Sequence, residues 1–380
     1  MSDGGPRVLF VGRGRLGLPL PAWLAKKWDA VAEQLDFRFV GAAEGPGAQR
    51  DDRFRLSAPA RPRRLDGTLF YLRLPLRVRR ELRDFRPRVI VASDPYVGGG
   101  VLLGRALARA RTPVIVEVHG DWRTFARLYG SPARRLVAGA AEWLAPAVLR
   151  RADATRALSR FTSGLIEDVR GRPADGVFPT YSDLSAFTAE PVRELPPRPT
   201  ALFVGVLEAY KNVAGLASAW RRVADQVPSV RLVVVGRGTQ QPVIDRLVRE
   251  LPRQVDHVPL LEPEGVARAL DEATVLVLPS WPEGLGRVVI EAFARGRAVV
   301  ATDAGGIPDL VTDDVEGLLV PPADVGALAA SIELVLADPT LAERLGAAAR
   351  ARYSEWHSTP EELATAMRSL VDLAVAGSAL

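Results

Sequence analysis

The chain has 380 residues, of which 48% are hydrophobic and 25% are charged. That length predicts two domains of about 150–200 residues each, and the composition is typical of folded rather than disordered proteins. The chain contains no cysteine, which excludes thiolate catalysis, cysteine-ligated zinc and a disulfide framework.

Neither a signal peptide nor an uninterrupted run of about 20 apolar residues is recognised, so we expect a cytoplasmic protein.

The charge is divided unevenly between the two halves of the chain. Residues 1–190 hold 32 basic and 20 acidic residues, whereas residues 191–380 hold 18 basic and 25 acidic residues. The basic half suggests an anionic partner, namely a membrane surface, a phosphorylated acceptor or a nucleic acid. A coding bias toward arginine would give the same excess without any partner.

Short runs rich in Val, Ile and Leu alternate with helical patterns, which is typical of parallel α/β sheets. Five such runs in each half are predicted as buried strands. They lie at residues 7–11, 37–40, 88–92, 113–118, 154–158, 201–204, 231–235, 275–279, 298–301 and 317–320.

Four prolines between residues 190 and 200 fit neither a helix nor a central strand, and they predict a linker over 191–199. We therefore predict a Rossmann-like domain over 1–190, a second one over 200–358, and a final helix within 359–380 that packs back on the first domain. The fold class is α/β, with two doubly wound domains that face each other across a crevice. Ligands of such sheets bind beyond the carboxyl ends of the strands.

Residues 50–87 show a poor pattern and are crowded with arginine. Within them, residues 76–85 predict a helix with a basic face. This face either contacts an anionic membrane, which would place the protein at the inner membrane face, or is simply solvated.

The segment from Pro282 to Glu291 carries the strongest chemical pattern. It follows a predicted strand, and Gly284 and Gly286 leave its backbone uncovered before the next helix. A helix N-terminus attracts anions, so a diphosphate there would lie between the carboxylates of Glu283 and Glu291, which accept hydrogen bonds from sugar hydroxyls. The alternative is a helix whose acidic residues only complement its dipole.

Three further segments lie where predicted strands end. Lys211 follows Gly205 and precedes a predicted helix. This position suits a cation if an anion lies between the lysine and the N–H groups at the start of that helix; the alternative is a surface lysine. His119 ends a strand, where active sites collect in these sheets, unless it only packs or caps. Gly305 and Gly306 open a turn before another helix N-terminus.

A glycine-rich loop follows the first strand. Its residues Gly12, Arg13, Gly14, Arg15 and Gly17 match the dinucleotide fingerprint, but two prolines follow directly and prevent a helix from opening at the third glycine. We expect a flexible acceptor or phosphate loop, and only this weak match favours a dehydrogenase.

The sequence lacks an Asp-x-Asp pair, a P-loop, a His-Glu-x-x-His motif and a Gly-x-Ser-x-Gly motif. A metal-chelated diphosphate, NTPase chemistry, metallohydrolysis and serine hydrolysis therefore lose support. We expect neither a metal nor another cofactor.

Together these residues resemble the family-four retaining glycosyltransferases, which are similar to glycogen synthase and have the GT-B fold of two Rossmann-like domains. The resemblance is strongest from about residue 200 to 325 and looser before it. The matching motifs, in family order and spacing, are Phe203-Val-Gly205, Lys211, Val235-Gly236-Arg-Gly238, Leu278-Pro-Ser280, Pro282-Glu-Gly284, Glu291 and Gly305-Gly306-Ile-Pro-Asp309.

The resemblance implies a nucleoside-diphosphate sugar as donor, a lipid-linked glycan or a small molecule as acceptor, and no nucleic acid. It implies His119, Lys211 and Glu283 as catalytic residues. The implied donor site comprises Gly205, Lys211, Gly236, Val258, Leu260, Glu283, Gly284, Leu285, Gly286 and Glu291.

The sequence departs from the family at one position, because Val206 stands where the family usually has an arginine that binds the diphosphate. Arg13, Arg237 or Arg287 could compensate; otherwise the binding of the donor, or its class, is altered. We predict a glycosyltransferase that retains the anomeric configuration. The alternatives are a nucleotide-sugar epimerase, a sugar phosphorylase on the same fold, or a degenerate partner subunit that binds sugar nucleotides.

Overall fold

The structure, a computed structural model, describes residues 5–124 and 138–377. These residues form two compact α/β units. The first unit contains the described residues up to Trp122, those from 138 to Tyr181, and those from Ser358 onward, and the second contains Arg123, Thr124 and Ser182–His357.

The first unit is built on an eight-stranded sheet in the order β3-β4-β2-β1-β5-β6-β7-β8. The pairings are parallel except between β3 and β4. The strands are β1 (Arg7–Leu16), β2 (Asp36–Ala43), β3 (Gln49–Arg50), β4 (Phe54–Ser57), β5 (Val89–Ala92), β6 (Val114–Val118), β7 (Ala154–Ala157) and β8 (Gly176–Val177). The helices are α1 (Ala22–Gln34), α2 (Asp66–Asp84), α3 (Pro95–Ala108), α4 (Ala138–Arg151), α5 (Arg160–Arg170) and the C-terminal helix (Pro360–Gly377).

The second unit is built on a parallel six-stranded sheet in the order β11-β10-β9-β12-β13-β14. The strands are β9 (Thr200–Val204), β10 (Arg231–Val235), β11 (Val255–Val258), β12 (Val275–Leu278), β13 (Ala298–Thr302) and β14 (Gly317–Val320). The helices are α6 (Ser185–Thr188), α7 (Val213–Gln226), α8 (Gln241–Glu250), α9 (Pro263–Asp271), α10 (Arg287–Ala294), α11 (Ile307–Leu310), α12 (Val325–Ala337) and α13 (Pro339–Arg352).

All ten predicted strands are present in these two sheets. The strands that the sequence analysis missed are β3, β4, β8 and β11. Three of them are edge strands, and β4 pairs with an edge strand. Edge strands are short and alternate polar with apolar residues, so they lack the continuous apolar runs that predict a buried strand.

Two local expectations were wrong. The glycine-rich stretch is not a separate loop, because β1 continues to Leu16 and pairs Arg15 with Ala42 after a register shift. The basic helix begins at Asp66 rather than at residue 76 and contains Pro75 within it. Close packing against α3 stabilises α2 around this proline. A Cβ at Gly104 of α3 would lie 2.7 Å from the carbonyl oxygen of Pro75, so α2 and α3 touch at their backbones.

The proline-rich segment at 191–199 packs on the second unit. The buried guanidinium of Arg295 donates to the carbonyls of Glu190 (2.8 Å) and Pro191 (2.9 Å), and that of Arg297 donates to the carbonyl of Arg193 (2.9 Å). These bonds supply donors to backbone groups that form no strand. The continuous part of the second unit consequently begins at Ser182, before the boundary predicted at residue 190.

The C-terminal helix belongs to the first unit. Its residues Met367 and Leu370 are buried in the same core as Trp28 and Val31 of α1. Within the part of the chain that the structure describes, no single helix is long and apolar enough to cross a membrane; α12 and the residues up to Trp356 pass that test only as a pair bent by 99°.

Candidate functional site

In the second unit, the loops that follow β9 and β12 meet at an ion pair. Nζ of Lys211 lies 2.5 Å from Oε1 of Glu283, and only 9% and 11% of these side chains are exposed. The backbone N–H of Trp281 donates to the carbonyl of Tyr210 (2.7 Å) and fastens the two loops together next to the pair. The structure thus brings together two residues that were singled out for phosphate and sugar binding.

Local backbone geometry positions Lys211. The residue ends a short 3₁₀ turn, and Asn212 then caps α7 by accepting a hydrogen bond from the N–H of Gly215 (3.2 Å). A Cβ at Gly205 would lie 3.3 Å from Cε of Lys211. Glycine at this position therefore leaves room for the lysine stem to cross the end of β9.

A pair of glycines positions the backbone of Glu283. Gly305 has a φ of +65°, and a Cβ there would lie 2.5 Å from both the N and the O of Glu283. The N–H of Gly306 donates to the carbonyl of Glu283 at 2.7 Å. The Gly305–Gly306 turn was predicted as a helix N-terminus, and it also serves as the backbone support of Glu283.

Glu291 lies one turn inside α10 and is 6% exposed. Burial raises the pKa of its carboxyl, while Arg287, whose Nε lies 3.0 Å from Oε1, and the nearby Lys211 act in the opposite direction. Lys211, Arg287, Glu283 and Glu291 therefore form one cluster of two cations and two carboxylates at the start of α10. We call it the charge cluster.

The glycines predicted for the donor site meet at the carboxyl ends of neighbouring strands. Gly236 has a φ of +143°, and a Cβ there would lie 1.9 Å from the carbonyl oxygen of Gly205, so only glycine fits. The N–H of Gly236 donates to the carbonyl of Val258 (2.9 Å). Leu260 is 59% exposed, and Gly286 adopts a φ of +77° directly before α10. Gly284 and Leu285 lie between Glu283 and Gly286 and are partly buried.

The position where the family usually has an arginine is open to solvent in the second unit. Val206 is 48% exposed, whereas its neighbour Leu207 is fully buried in the core. Of the two second-unit arginines considered as substitutes, Arg287 belongs to the charge cluster, and Arg237 is exposed next to Gly236.

The arginines of the glycine-rich segment contact α2 in the first unit. Arg15 donates to Asp66 (2.7 Å), and the guanidinium of Arg13 lies 5.6 Å from the centre of the Tyr71 ring. Both guanidinium groups thus already have a partner, although 40% of the Arg15 side chain remains exposed, and their binding of an anion stays a prediction. Among the glycines, a Cβ at Gly12 would press on Phe39 and Ser93 (3.3 Å each), one at Gly17 would lie 3.4 Å from Glu44, and one at Gly14 would meet nothing.

His119 follows β6 in the first unit. Its Nε2 lies 3.3 Å from Oε2 of Glu117, and 44% of the side chain is exposed. Together with Lys27, Glu117 and Arg156, it lines a cavity of about 130 Å³. We call this the α1 cavity. The sequence analysis missed these three charged residues, because Glu117 and Arg156 lie within strands taken as core and Lys27 lies in a helix without a motif. The one signal in the sequence that could have pointed to Lys27 is the rarity of lysine, since the chain has only three lysines.

Among the described residues, no group of three or more His, Asp or Glu side chains is arranged to hold a metal ion. The expectation of a reaction without a metal or cofactor stays a prediction.

Two family models match the chain. The model described as "Glycosyl transferase 4-like domain" matches residues 16–180, and the one described as "Glycosyl transferases group 1" matches residues 188–352. A sulfoquinovosyl transferase of Arabidopsis thaliana is 28% identical over 302 residues, which cover 74% of this chain and 57% of that protein. The alignments span between 37% and 57% of the lengths of the first curated relatives.

Solved structures share the fold over nearly the whole chain. A sucrose-phosphate synthase of Thermosynechococcus elongatus superposes with a TM-score of 0.76 at 22% identity and covers 96% of this chain and 98% of its own. The protein HepE of Anabaena, in complex with UDP-glucose, superposes with a TM-score of 0.68 at 18% identity and covers 96% of this chain and 99% of its own. Two parallel α/β units and these neighbours identify the GT-B fold.

Proposed function

Because the chain belongs to the family-four glycosyltransferases of the GT-B fold, we propose that it transfers a sugar from a nucleoside-diphosphate sugar to an acceptor hydroxyl with retention of configuration. The observation that carries the proposal is the charge cluster at the start of α10. The complex of HepE with UDP-glucose supports a nucleotide-sugar donor, since that protein shares the fold. The acceptor is a lipid-linked glycan or a small molecule.

The charge cluster explains how the donor would be held. The N–H groups of Leu285 and Gly286 precede and open α10, where the helix dipole attracts a diphosphate. Lys211 is available to exchange its contact with Glu283 for a phosphate oxygen, because the phosphate carries more charge than a carboxylate. That exchange frees the Glu283 carboxylate to accept hydrogen bonds from the sugar, while Glu291 accepts from the ribose hydroxyls.

The reaction then needs no separate base. The bond between the anomeric carbon and the leaving phosphate oxygen breaks, and the acceptor oxygen bonds to that carbon on the same face. The proton of the acceptor hydroxyl passes to the departing phosphate oxygen. Lys211 and the start of α10 stabilise the negative charge that develops on the nucleoside diphosphate, which is the type of electrostatic contribution that dominates many enzymes. His119 is proposed as a further catalytic residue.

The test uses the full chain with a panel of UDP-, GDP- and ADP-sugars. A donor present at 100 times its dissociation constant adds about 2.7 kcal/mol of stability, which a thermal-shift assay detects. We expect Lys211→Met to abolish the shift. We expect Glu283→Gln to retain binding of the free nucleoside diphosphate and to lose transfer. Glu343→Gln, an exposed glutamate of α13, is the matched control and should behave as the wild type.

Two results would contradict the proposal. Full transfer by Glu283→Gln would remove the sugar-binding role of that carboxylate. Conversion of the donor to its epimer in the absence of an acceptor would favour the epimerase instead. An NMR measurement of the anomeric configuration of the first product decides between retention and inversion.

We also propose that α2 contacts an anionic membrane. Leu72 and Leu76 are 68% and 60% exposed and lie one helical turn apart, and Arg83 lies on the same face one heptad further along. An apolar stripe beside basic residues is suited to the interface of an anionic bilayer, where each basic residue contributes about 1 kcal/mol. Because the arginines of this face are positively charged, the partner with complementary charge is an acidic lipid headgroup.

Co-sedimentation with vesicles tests this contact. Vesicles that contain phosphatidylglycerol should retain the protein at low salt, whereas pure phosphatidylcholine vesicles should not. The double variant Leu72→Ser/Leu76→Ser should lose binding, and Leu334→Ser, a leucine of α12 that is 51% exposed, should not. Equal retention of the double variant would remove α2 as the contact.

A further inference from the structure

The α1 cavity lies on one face of the sheet of the first unit, between the strands and two helices. Its apolar wall includes Trp28 of α1 and Met367 of the C-terminal helix, and its titratable residues are Lys27, Glu117, His119 and Arg156. The strands β6 and β7 hold Glu117 and Arg156 side by side, since their registers pair these two residues. The cavity is therefore apolar on the helix side and charged on the sheet side.

Arg156 and Glu117 neutralise each other within this cavity. They form a close, buried ion pair, and the guanidinium also donates to the carbonyls of Phe178 (3.2 Å) and Pro179 (3.0 Å). Among the described residues, Nε of Arg156 has no hydrogen-bond partner, and it is too deeply buried for a group of the size of water to reach it, since only 3% of the side chain is exposed. The ion pair therefore offers no donor from this N–H to a group inside the cavity.

Lys27 adds a positive charge that the pair does not balance. Among the described residues it has no hydrogen-bond partner and only lies 5.0 Å from the centre of the Trp28 ring. Burial lowers the pKa of its ammonium to about 8, with Glu117 opposing and Arg156 assisting this shift. A cation retained in such surroundings destabilises the free protein, and an anion bound beside it would relieve that cost.

The size of the cavity limits what can occupy it. Its volume of about 130 Å³ corresponds to about four water molecules. Pockets for whole ligands of drug size are larger, at about 300–1,000 Å³. The cavity therefore suits a single charged group with a few attached atoms rather than a nucleotide.

We infer that the α1 cavity binds the anionic group of a phosphorylated acceptor, with the ammonium of Lys27 as its donor. The inference rests on the proposed transferase function and specifies its acceptor class. His119 lines the same cavity and is partly exposed, so an acceptor anchored by its phosphate would extend past His119 at the carboxyl end of β6. Lys27 thereby acts as a specificity-determining residue.

The test measures phosphate binding separately from the donor site. Calorimetric titrations use glycerol 3-phosphate and uncharged glycerol on the full chain with Lys211→Met, so that the lysine of the charge cluster contributes nothing. We expect glycerol 3-phosphate to bind and glycerol not to bind. Adding Lys27→Met should weaken binding by at least about tenfold, as for loss of one charge-assisted hydrogen bond. Lys27→Arg should preserve it, and Lys26→Met, the exposed neighbour, should leave it unchanged.

Each outcome distinguishes this inference from the proposed function. Undiminished binding in Lys27→Met, or no binding of glycerol 3-phosphate at all, overturns the inference even if the protein transfers sugar. Binding that depends on Lys27 in a protein that transfers no sugar to any acceptor leaves the site intact and overturns the transferase, whereas transfer to unphosphorylated acceptors alone overturns the acceptor role of the site. Melting temperatures show whether Lys27→Met is folded. If it is not folded, the binding of glycerol 3-phosphate is compared between Lys27→Arg, which should retain it, and Lys27→Gln, which should lose it.

Discussion

Lys211 and Glu283 are 72 positions apart in the chain, yet Nζ and Oε1 lie 2.5 Å apart and almost out of contact with solvent. The ion pair fixes the position of the lysine, while the carboxylate neutralises its charge. Under the proposed function, an arriving diphosphate would compete with this one carboxylate for a lysine that is already in place, which would reduce the reorganisation required during the reaction.

Arg287 is expected to supply the charge that is lost at Val206. Arg287→Ala should weaken donor binding by about 10- to 100-fold, as for loss of one charged hydrogen bond. If Arg287 replaces the arginine that the family usually has at position 206, Val206→Arg should restore much of the affinity in the Arg287→Ala background. Arg237→Ala is the matched control. Titration calorimetry with the nucleoside diphosphate measures all four proteins, and a normal affinity in Arg287→Ala would assign the charge to another residue.

Gly305→Ala is expected to disable the site by displacing Glu283. The added Cβ would lie 2.5 Å from the backbone N and O of Glu283, so that loop must move. A displacement near 1 Å lowers rates by about 100-fold. Gly171→Ala separates this effect from backbone strain, because Gly171 has a similar φ of +69° but no atom near its Cβ position. Turnover should fall in the first variant only, and equal losses of turnover would point to strain alone.

The buried pair of Asp271 and Arg295 is expected to matter for stability far more than an exposed pair. Arg295 donates to Asp271 at 2.8 Å and also holds the segment near Pro191, and both side chains are at most 5% exposed. Asp271→Asn leaves that guanidinium without its counter-ion and should destabilise the second unit by about 3–5 kcal/mol. Glu250→Gln breaks the exposed pair with Arg221 and should cost less than about 1 kcal/mol.

Denaturant unfolding followed by tryptophan fluorescence measures both variants, because Trp220 lies fully buried in the core of the second unit. Similar midpoints for Asp271→Asn and Glu250→Gln would show that the proline-rich segment does not depend on the buried pair.

Lys27 is expected to make stability rise with pH in the alkaline range. The pKa of its ammonium is about 8 in the folded protein against 10.5 for the unperturbed group, so above pH 8 the unfolded chain binds more protons than the folded one. Stability should therefore increase between pH 8 and about 10.5. The titratable groups facing Lys27 are Glu117, His119 and Arg156, whereas the C-terminal helix contributes only apolar Leu363 and Met367.

Melting temperatures across this range, for the wild type and Lys27→Met, measure the effect. The variant should lose the increase attributable to Lys27 and should be at least as stable as the wild type at pH 7. A parallel pH dependence of the two proteins would show that Lys27 carries no such cost. Lys26→Met again controls for the loss of a lysine from α1.

Much of the charge cluster could be predicted because its residues follow strand ends. Glu283 and Glu291 flank a glycine-rich strand-to-helix turn, and Lys211 precedes a helix, so position along the chain already indicated an anion site. The α1 cavity could not be predicted in this way. Glu117 and Arg156 stand inside apolar strands, and only the pairing of β6 with β7 shows that they neutralise each other and leave Lys27 unbalanced.

The sequence by itself determined the two α/β units, ten of the fourteen strands in the described residues and the family, because apolar periodicity and glycine-bearing turns are local properties of the chain. Tertiary structure alone decided which charges meet. It placed Lys211 against Glu283, moved the arginines of the glycine-rich segment onto α2, and closed a cavity around Lys27. Contacts between residues far apart in sequence depend on how elements pack, and the identity of a residue's contact partner leaves no periodic signal in the sequence around either residue.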